Sequence, residues 1–296
     1  MMKHSFDPNE VRSAYWLSAP ALLLMLALLL LPTLAVLVLS FTDAELGVSK
    51  VNFLGLSSYA RLLEDRTFLG AVRNTALYVV LVVPASVVLG LGLAMLIEAD
   101  DLLKPFFRSI YFLPVVSLLV AMASVWQYLM HPSIGPINML LNKFGLSSVN
   151  WLGSSDNVMG ALAIIGIWQT VGFNMVLFLA GLTGINRDLY AAAEMDGARS
   201  AWSRFCVVTW PMLGPTTLFV LTISVINAVK VFETVATLTH GGPGKSSDVL
   251  LWVIYEEGFV HLQIGPASAM AMVFIAVLLV LVLIQTRVLE KRVHYT

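Results

Sequence analysis

Residues 157–186, NVMGALAIIGIWQTVGFNMVLFLAGLTGIN, form a run of 30 without an aspartate, glutamate, lysine or arginine. A helix crosses the hydrocarbon layer with about 20 apolar residues, and a charge at its centre costs at least a few kcal/mol, so this run reads as a membrane span. It is too long and too continuously apolar for a barrel strand, which alternates over about ten residues. Working outward, five more uncharged windows meet the same test: 13–42, 74–97, 109–142, 205–229 and 258–286. The chain of 296 residues is 58% hydrophobic and 12% charged, with a mean hydropathy of +0.86. An average soluble domain is roughly 25% charged, so an ordinary soluble globule is excluded. The expectation is an all-α polytopic membrane protein with six transmembrane helices.

The windows also set the domain organisation. Residues 1–13 form an N-terminal segment, 14–286 one six-helix domain, and 287–296 a C-terminal tail. Lys3 and Arg12 ahead of an apolar run imitate a signal peptide, but the first window continues past a normal h-region of roughly 7 to 15 residues and reads as an uncleaved span. A net charge of −1 gives no reason to expect nucleic acid, and the single cysteine, Cys206, makes neither an internal disulfide nor a multi-thiolate metal site.

Lysine and arginine counts give the orientation, because cytoplasmic segments near spans hold the basic excess. Alternate connections carry ten against seven, and four of the seven (Lys50, Arg61, Arg66 and Arg73) belong to one longer segment with its own acids. Both termini are therefore expected in the cytoplasm, with external connections near 43–72, 132–156 and 231–265 and internal ones near 98–108 and 184–206. The segment 52–59 reads as a short interfacial helix, and Gly241-Gly242-Pro243-Gly244 as a turn. Pro84 and Pro114 are positions where a helix could kink, and Gly90 with Ala94 is a small-xxx-small pair that lets helices approach closely.

The internal segment 186–205 carries the most information. Alanine, leucine, glutamate and methionine over 189–195 favour helix, Asn186 or Asp188 caps its start, and Gly197 ends it in the left-handed conformation. Ala198, Ala201, Trp202 and Phe205 then recur at helical spacing. A helix, a glycine turn and a second helix thus project from the bundle.

This loop, with Leu189-Tyr190-Ala191-Ala192-Ala193, then Asp196-Gly197-Ala198 and Val208-Thr209-Trp210-Pro211, resembles the cytoplasmic signature loop of binding-protein-dependent ABC importer permeases. Tyr111-Phe112-Leu113-Pro114, Asn150-Trp151-Leu152, Trp168-Gln169, 238–243 and 254–259 are similar to segments of the carbohydrate-uptake members. The tail, with Gln285, Arg287 and 292–295, is most similar to the branch containing glycerol-3-phosphate permeases. The resemblance implies a type I importer transmembrane domain in the bacterial inner membrane. It implies a coupling loop at 186–207 that engages an ATPase subunit through Ala191, Ala192, Ala193, Glu194, Asp196, Gly197, Ala198 and Arg199. It also implies no cofactor in this chain, with ATP and magnesium used by a partner ATPase dimer. The remaining implied partners are a second homologous permease and a periplasmic or lipid-anchored solute-binding protein, besides membrane lipid.

Two departures stand out. Ala191 occupies the family's usual glutamate position, and ten residues rather than nine separate Gly197 from Val208. Glu194, one turn on from Ala191, is expected to substitute in part.

Other motifs fail on context. Residues 239–246 nearly spell a phosphate-binding loop, but Thr239 stands where the first glycine belongs, and neither the preceding strand nor the following helix is expected. His4, His131, His240, His261 and His294 show no ligand spacing. No catalytic constellation is visible, so the chain is not expected to be an enzyme. An ion-coupled secondary transporter is the rival class, yet it would need ionisable groups near mid-membrane, and the six windows hold no Asp, Glu, Lys or Arg.

A carbohydrate path needs amides, hydroxyls and aromatic platforms on cavity-lining helices. The candidates are Trp126 and Gln127 after the third span's apolar run, Trp168, Gln169 and Asn174 in the fourth, and Ser224, Asn227, Lys230 and Glu233 at the end of the fifth. One cation in this set favours a neutral sugar or polyol as solute; glycerol-3-phosphate or a glycerophosphodiester is the alternative.

Overall fold

The computed structural model describes residues 8–98 and 104–290. The segments 1–7 and 291–296 and the middle of the 98–108 connection lie outside these residues, as do the expectations for Lys3, Lys291 and 292–295. Among the described residues every regular element is a helix, and one isolated bridge joins Thr42 to Phe53.

Five helices are long and apolar enough to cross a membrane: α1 (Tyr15–Leu39), α3 (Arg66–Glu98), α7 (Val158–Thr183), the stretch Gly214–Leu238 and the final helix over Ile264–Gln285. The sixth window is met by a bent pair, α4 (Lys104–Val116) and α5 (Leu119–Leu129), whose axes turn by 106°. Leu118 between them is extended. Pro114 cannot donate to the helical ladder, and the Ser117 hydroxyl donates to the Leu113 carbonyl at 2.8 Å, so the break satisfies part of its own backbone. Pro84, by contrast, sits inside an unbroken α3 of 33 residues. Shorter helices complete the chain: α2 (Ser57–Leu62), α6 (Pro136–Lys143), α8 (Arg187–Met195), α9 (Ala201–Arg204), α10 (Gly214–Val229), α11 (Glu233–Leu238) and α12 (Leu250–Tyr255). The last helix, α13 (Ile264–Glu290), begins after residue 258 and continues past 286, so it extends into the segment expected to be tail.

The chain forms two compact units, one made of residues up to Leu63 with Ile254–Val273, the other of Glu64–Val253 with the segment from Phe274 onward. In the first unit α1 leaves its large apolar side chains exposed, as a lipid-facing span does, and includes a π turn at Leu26–Leu30. Beyond it, Asp43 accepts from the Asn52 backbone at 2.6 Å and from its side chain at 2.8 Å. Those two bonds hold the Asp43 carboxyl below its ordinary pKa. The Gly265 N–H donates to Ala44 O at 2.8 Å, and a Cβ at Gly265 would run into the Thr42 carbonyl.

The second unit holds the buried cores. One gathers Tyr78, Leu119, Trp126, Leu162, Ile165, Val235, Val249 and Trp252; the other gathers Ala94, Met175, Phe178, Ala193, Ala198, Val208, Leu213 and Val220. The second core joins the bundle to the 186–213 loop, because Ala193, Ala198 and Val208 pack with residues of α3, α7 and α10. Close helix approach depends on glycines at the crossings. At Gly90 a Cβ would lie 2.8 Å from the Asn174 Cβ, and at Gly172 it would strike the Tyr111 carbonyl of α4. Gly90 and Ala94 are thus a genuine contact surface against α7.

Candidate functional site

A cavity of about 530 Å³ opens among α3, the α4–α5 break, α7 and the α10–α11 junction. One face of α7 supplies Gly166, Gln169, Thr170 and Phe173, residues at i, i+3, i+4 and i+7. The break contributes Val115 and Leu119, and α3 contributes Tyr78 and Val82. From the end of α10 come Asn227 and Lys230, where the helix stops at residue 229, and then Phe232, Glu233 and Thr234. Asn227, Lys230 and Glu233 are exposed. The lining therefore offers three aromatic rings, two amides, two threonine hydroxyls, one cation and one anion, the groups that receive a polyhydroxylated solute.

The remaining sequence candidates lie elsewhere. Asn174, only 1% exposed, donates to the Ser86 hydroxyl at 3.2 Å and accepts from the Ser224 hydroxyl at 3.0 Å. It clasps α3, α7 and α10, and both ends of its amide are occupied. Ser224, three residues before Asn227, is turned into this clasp because a three-residue step rotates about 60° from the starting direction. Trp126 and Trp168 stack edge to face with centroids 5.4 Å apart, and Trp126 belongs to the buried core. Gln127 is exposed and not part of the lining. Sequence reading missed Tyr78, Thr170, Phe173, Phe232 and Thr234; the face of α7 that contains Gln169 was the available signal for two of them.

The loop over 186–213 has defined caps. The Asn186 side chain accepts from the Asp188 N–H at 3.0 Å, opening α8, and Gly197 closes it with φ +96. The Ala198 N–H reaches Ala193 O at 2.8 Å and the Gly197 N–H reaches Glu194 O at 3.1 Å, the paired bonds of a Schellman end. Ser200 caps α9 by accepting from the Ser203 N–H at 3.0 Å. The path is then α9, a π turn at Phe205–Thr209 and a further turn at Trp210–Met212, where continuous α-helix was expected. A π turn holds one more residue than an α turn, so it absorbs the extra residue between Gly197 and Val208.

Within this loop Ala193 and Ala198 are buried, while Ala191, Ala192, Glu194, Asp196, Gly197 and Arg199 are exposed. Glu194 forms an ion pair with Arg204 of the same loop. One of its carboxylate oxygens is thus engaged inside the chain, on a side chain that is still exposed. Tyr190 OH and Thr209 Oγ1 lie 3.0 Å apart, tying α8 to the π turn. A second cavity of about 420 Å³ lies between α8 and the π turn, lined among others by Leu189, Ala192, Val207 and Pro211.

The segment resembling a phosphate loop is a structural turn. His240, Gly241, Gly244 and Lys245 all have positive φ, and the Gly242–Pro243 peptide is cis. Ser247 Oγ donates to Thr239 Oγ1 at 2.8 Å, Asn74 Nδ2 donates to Asp248 O at 2.9 Å, and the Leu250 N–H donates to Thr75 Oγ1 at 2.9 Å. These bonds brace the turn and fasten it to α3.

Comparison with known proteins matches residues 83–295 to the family described as binding-protein-dependent transport system inner membrane component. The sn-glycerol-3-phosphate transport system permease protein UgpA of Brucella abortus is 30% identical over 100% of both chains. The osmoprotective compounds uptake permease protein GgtC of Synechocystis is 37% identical over 86% of this chain and 91% of its own. A chain in the crystal structure of a bacterial ABC transporter that imports the acidic polysaccharide alginate superposes with a TM-score of 0.82 at 24% identity, covering 96% of this chain and 98% of that one.

Proposed function

This chain belongs to the family of binding-protein-dependent transport system inner membrane components, and on that footing we propose that it carries a neutral sugar, polyol or related carbohydrate through the cavity beside α7. It is a permease subunit of an ABC importer, and ATP is hydrolysed by separate subunits. In the proposed assembly both termini face the cytoplasm, a second homologous permease completes the pore, an ATPase dimer with ATP and magnesium grips the 186–207 loops, and a solute-binding protein delivers from outside. ATPase closure pushes α8 through Ala191, Ala192, Asp196, Gly197 and Arg199. The push reaches α3, α7 and α10 through the core around Ala193, Ala198 and Val208. The cavity then opens to the opposite side by alternating access.

The observation that carries this reading is the lining itself, in which Gln169, Thr170, Asn227 and Thr234 stand beside Phe173 and Phe232. Hydroxyls of a solute meet the amides and threonines, and its weakly apolar ring face meets the aromatics. Lys230 with the name of the Brucella relative favours glycerol-3-phosphate or a glycerophosphodiester as the second reading. The test is uptake by the complete importer in proteoliposomes with its own binding protein, offering radiolabelled neutral disaccharides and polyols beside labelled glycerol-3-phosphate. ATP-dependent uptake of a neutral compound alone supports the first reading, and of glycerol-3-phosphate the second. Uptake without the ATPase, driven by an ion gradient, would overturn both.

A further inference from the structure

The helix α6 turns apolar side chains both ways, Ile137 against the first core and others outward. Its buried residue is an asparagine: Asn138, 1% exposed, donates through Nδ2 to His131 O, Pro132 O and Val149 O and accepts at Oδ1 from the Val149 N–H and Trp151 Nε1, over 2.9 to 3.2 Å. Those five bonds fix the rotation of α6 about its axis, because any roll would strand buried backbone carbonyls. The side chains thereby turned outward are Met139 at 52%, Leu140 at 57% and Phe144 at 76% exposed, with Ile134 at 53% and Leu146 at 57% flanking them. Large apolar groups this concentrated on one short segment mark a surface with an apolar neighbour.

We propose that this neighbour is the bilayer itself, and that α6 lies in the membrane interface with Met139, Leu140 and Phe144 among the outer acyl carbons. Three observations favour lipid over protein. The segment joins the end of α5 directly to α7, two membrane-crossing elements, so it stays at the depth where spans leave the hydrocarbon. The exposed apolar residues of α5, Val120, Val125 and Tyr128, lead up to it. From His131 to Ser155 the only Asp, Glu, Lys or Arg is Lys143, on the exposed side of α6, and a lone cation among apolar side chains suits an interface rich in lipid phosphate. The Asn138 bonds then act as the bracket that sets the loop's depth, holding the rim of the α5 and α7 helices that border the cavity. The lipid contact does not depend on the transport reading; only the assignment to the outer leaflet does.

The test uses the complete importer in vesicles of phosphatidylcholine and phosphatidylglycerol, with Cys206→Ser removing the native thiol. Spin labels go singly on Met139→Cys, Leu140→Cys and Phe144→Cys, with Val120→Cys on α5 and Asn142→Cys as references, and each labelled protein is first checked for normal ATP hydrolysis. Collision with dissolved oxygen should exceed collision with a water-soluble nickel chelate at 139, 140 and 144, as at 120, and the order should reverse at 142. Nickel-dominated collision at all three sites would overturn the proposal in favour of an aqueous surface. Low collision with both agents, or shielding that appears only when the binding protein is added, would instead identify a protein partner and overturn it as well.

Discussion

Two patches of α7 carry polar residues only a few positions apart, and they do opposite things. On one, Asn174 spends both ends of its amide on Ser86 and Ser224, and the site is 1% exposed. On the other, Gln169 and Thr170 look into a cavity of about 530 Å³ with Asn227 across from them. A buried polar side chain in a membrane helix thus fastens its neighbours, while one at a cavity wall keeps capacity for solute; Thr170 combines the two, lining the cavity while its hydroxyl donates to Gly166 O at 2.7 Å. The same division runs through the rest of the molecule. Glu194 is fastened to Arg204, Asn138 to its loop and Asp43 to Asn52, while Lys230 and Glu233 line open space.

The largest effect should come from disturbing the packing that both patches share. Gly172→Val places a methyl-bearing carbon against the Tyr111 carbonyl, where backbone cannot yield cheaply, and should abolish recovery of assembled importer in detergent gel filtration. Gly160→Val on the same helix meets nothing within 4 Å and should leave recovery unchanged. Next, Gln169→Ala or Asn227→Ala should lower ATP-driven uptake about tenfold, the worth of roughly 1.4 kcal/mol of lost solute contact, without changing the melting temperature. Asn174→Leu should do the reverse, costing about 1 to 2 kcal/mol of thermal stability with uptake retained in the protein that folds. Equal effects of the two substitutions on both measurements would erase the distinction between the patches.

A smaller effect tests the fastener in the coupling loop. Glu194→Arg and Arg204→Glu should each reduce solute carried per ATP hydrolysed by a few fold, since exposed ion pairs are worth about 1 kcal/mol at most, and the double exchange should restore it. If Glu194 met a base on the ATPase, the double exchange would stay impaired. The smallest effect is at Asp43. Its folded-state pKa is lowered, so the stabilisation of the 43–53 loop is present above the unfolded carboxylate pKa and fades as pH falls through the folded value. Hydrogen exchange at the Asn52 amide should accelerate, relative to its intrinsic rate, only over that acid range, and Asp43→Asn should flatten the profile.

Much of the architecture could be read from charge-free windows, because excluding charge from hydrocarbon is a constraint on every residue of a span. The caps at Asn186 and Gly197 were equally legible, since each rests on the local chemistry of one residue. The 106° bend was not, because Pro114 and Pro84 look alike in sequence, yet α3 runs on unbroken past Pro84 while α4 ends at Val116, two residues after Pro114. The division of the candidate lining was also hidden. Four of the nine proposed pathway residues, Gln169, Asn227, Lys230 and Glu233, line the cavity, and hydropathy says nothing about which polar group already has a partner. Glu194 shows the same limit, as its partner lies ten residues on, beyond helical spacing.

In the proposed cycle solute passes along the Gln169 and Asn227 side of the bundle. Single cysteines at Asn227 and Ser224, in the Cys206→Ser background of the complete importer in proteoliposomes, expose this to a membrane-impermeant thiol reagent. Asn227→Cys should be modified and then protected by the transported solute, and Ser224→Cys should stay unmodified. Modification of Ser224→Cys with solute protection, alongside an unprotected Asn227→Cys, would contradict it.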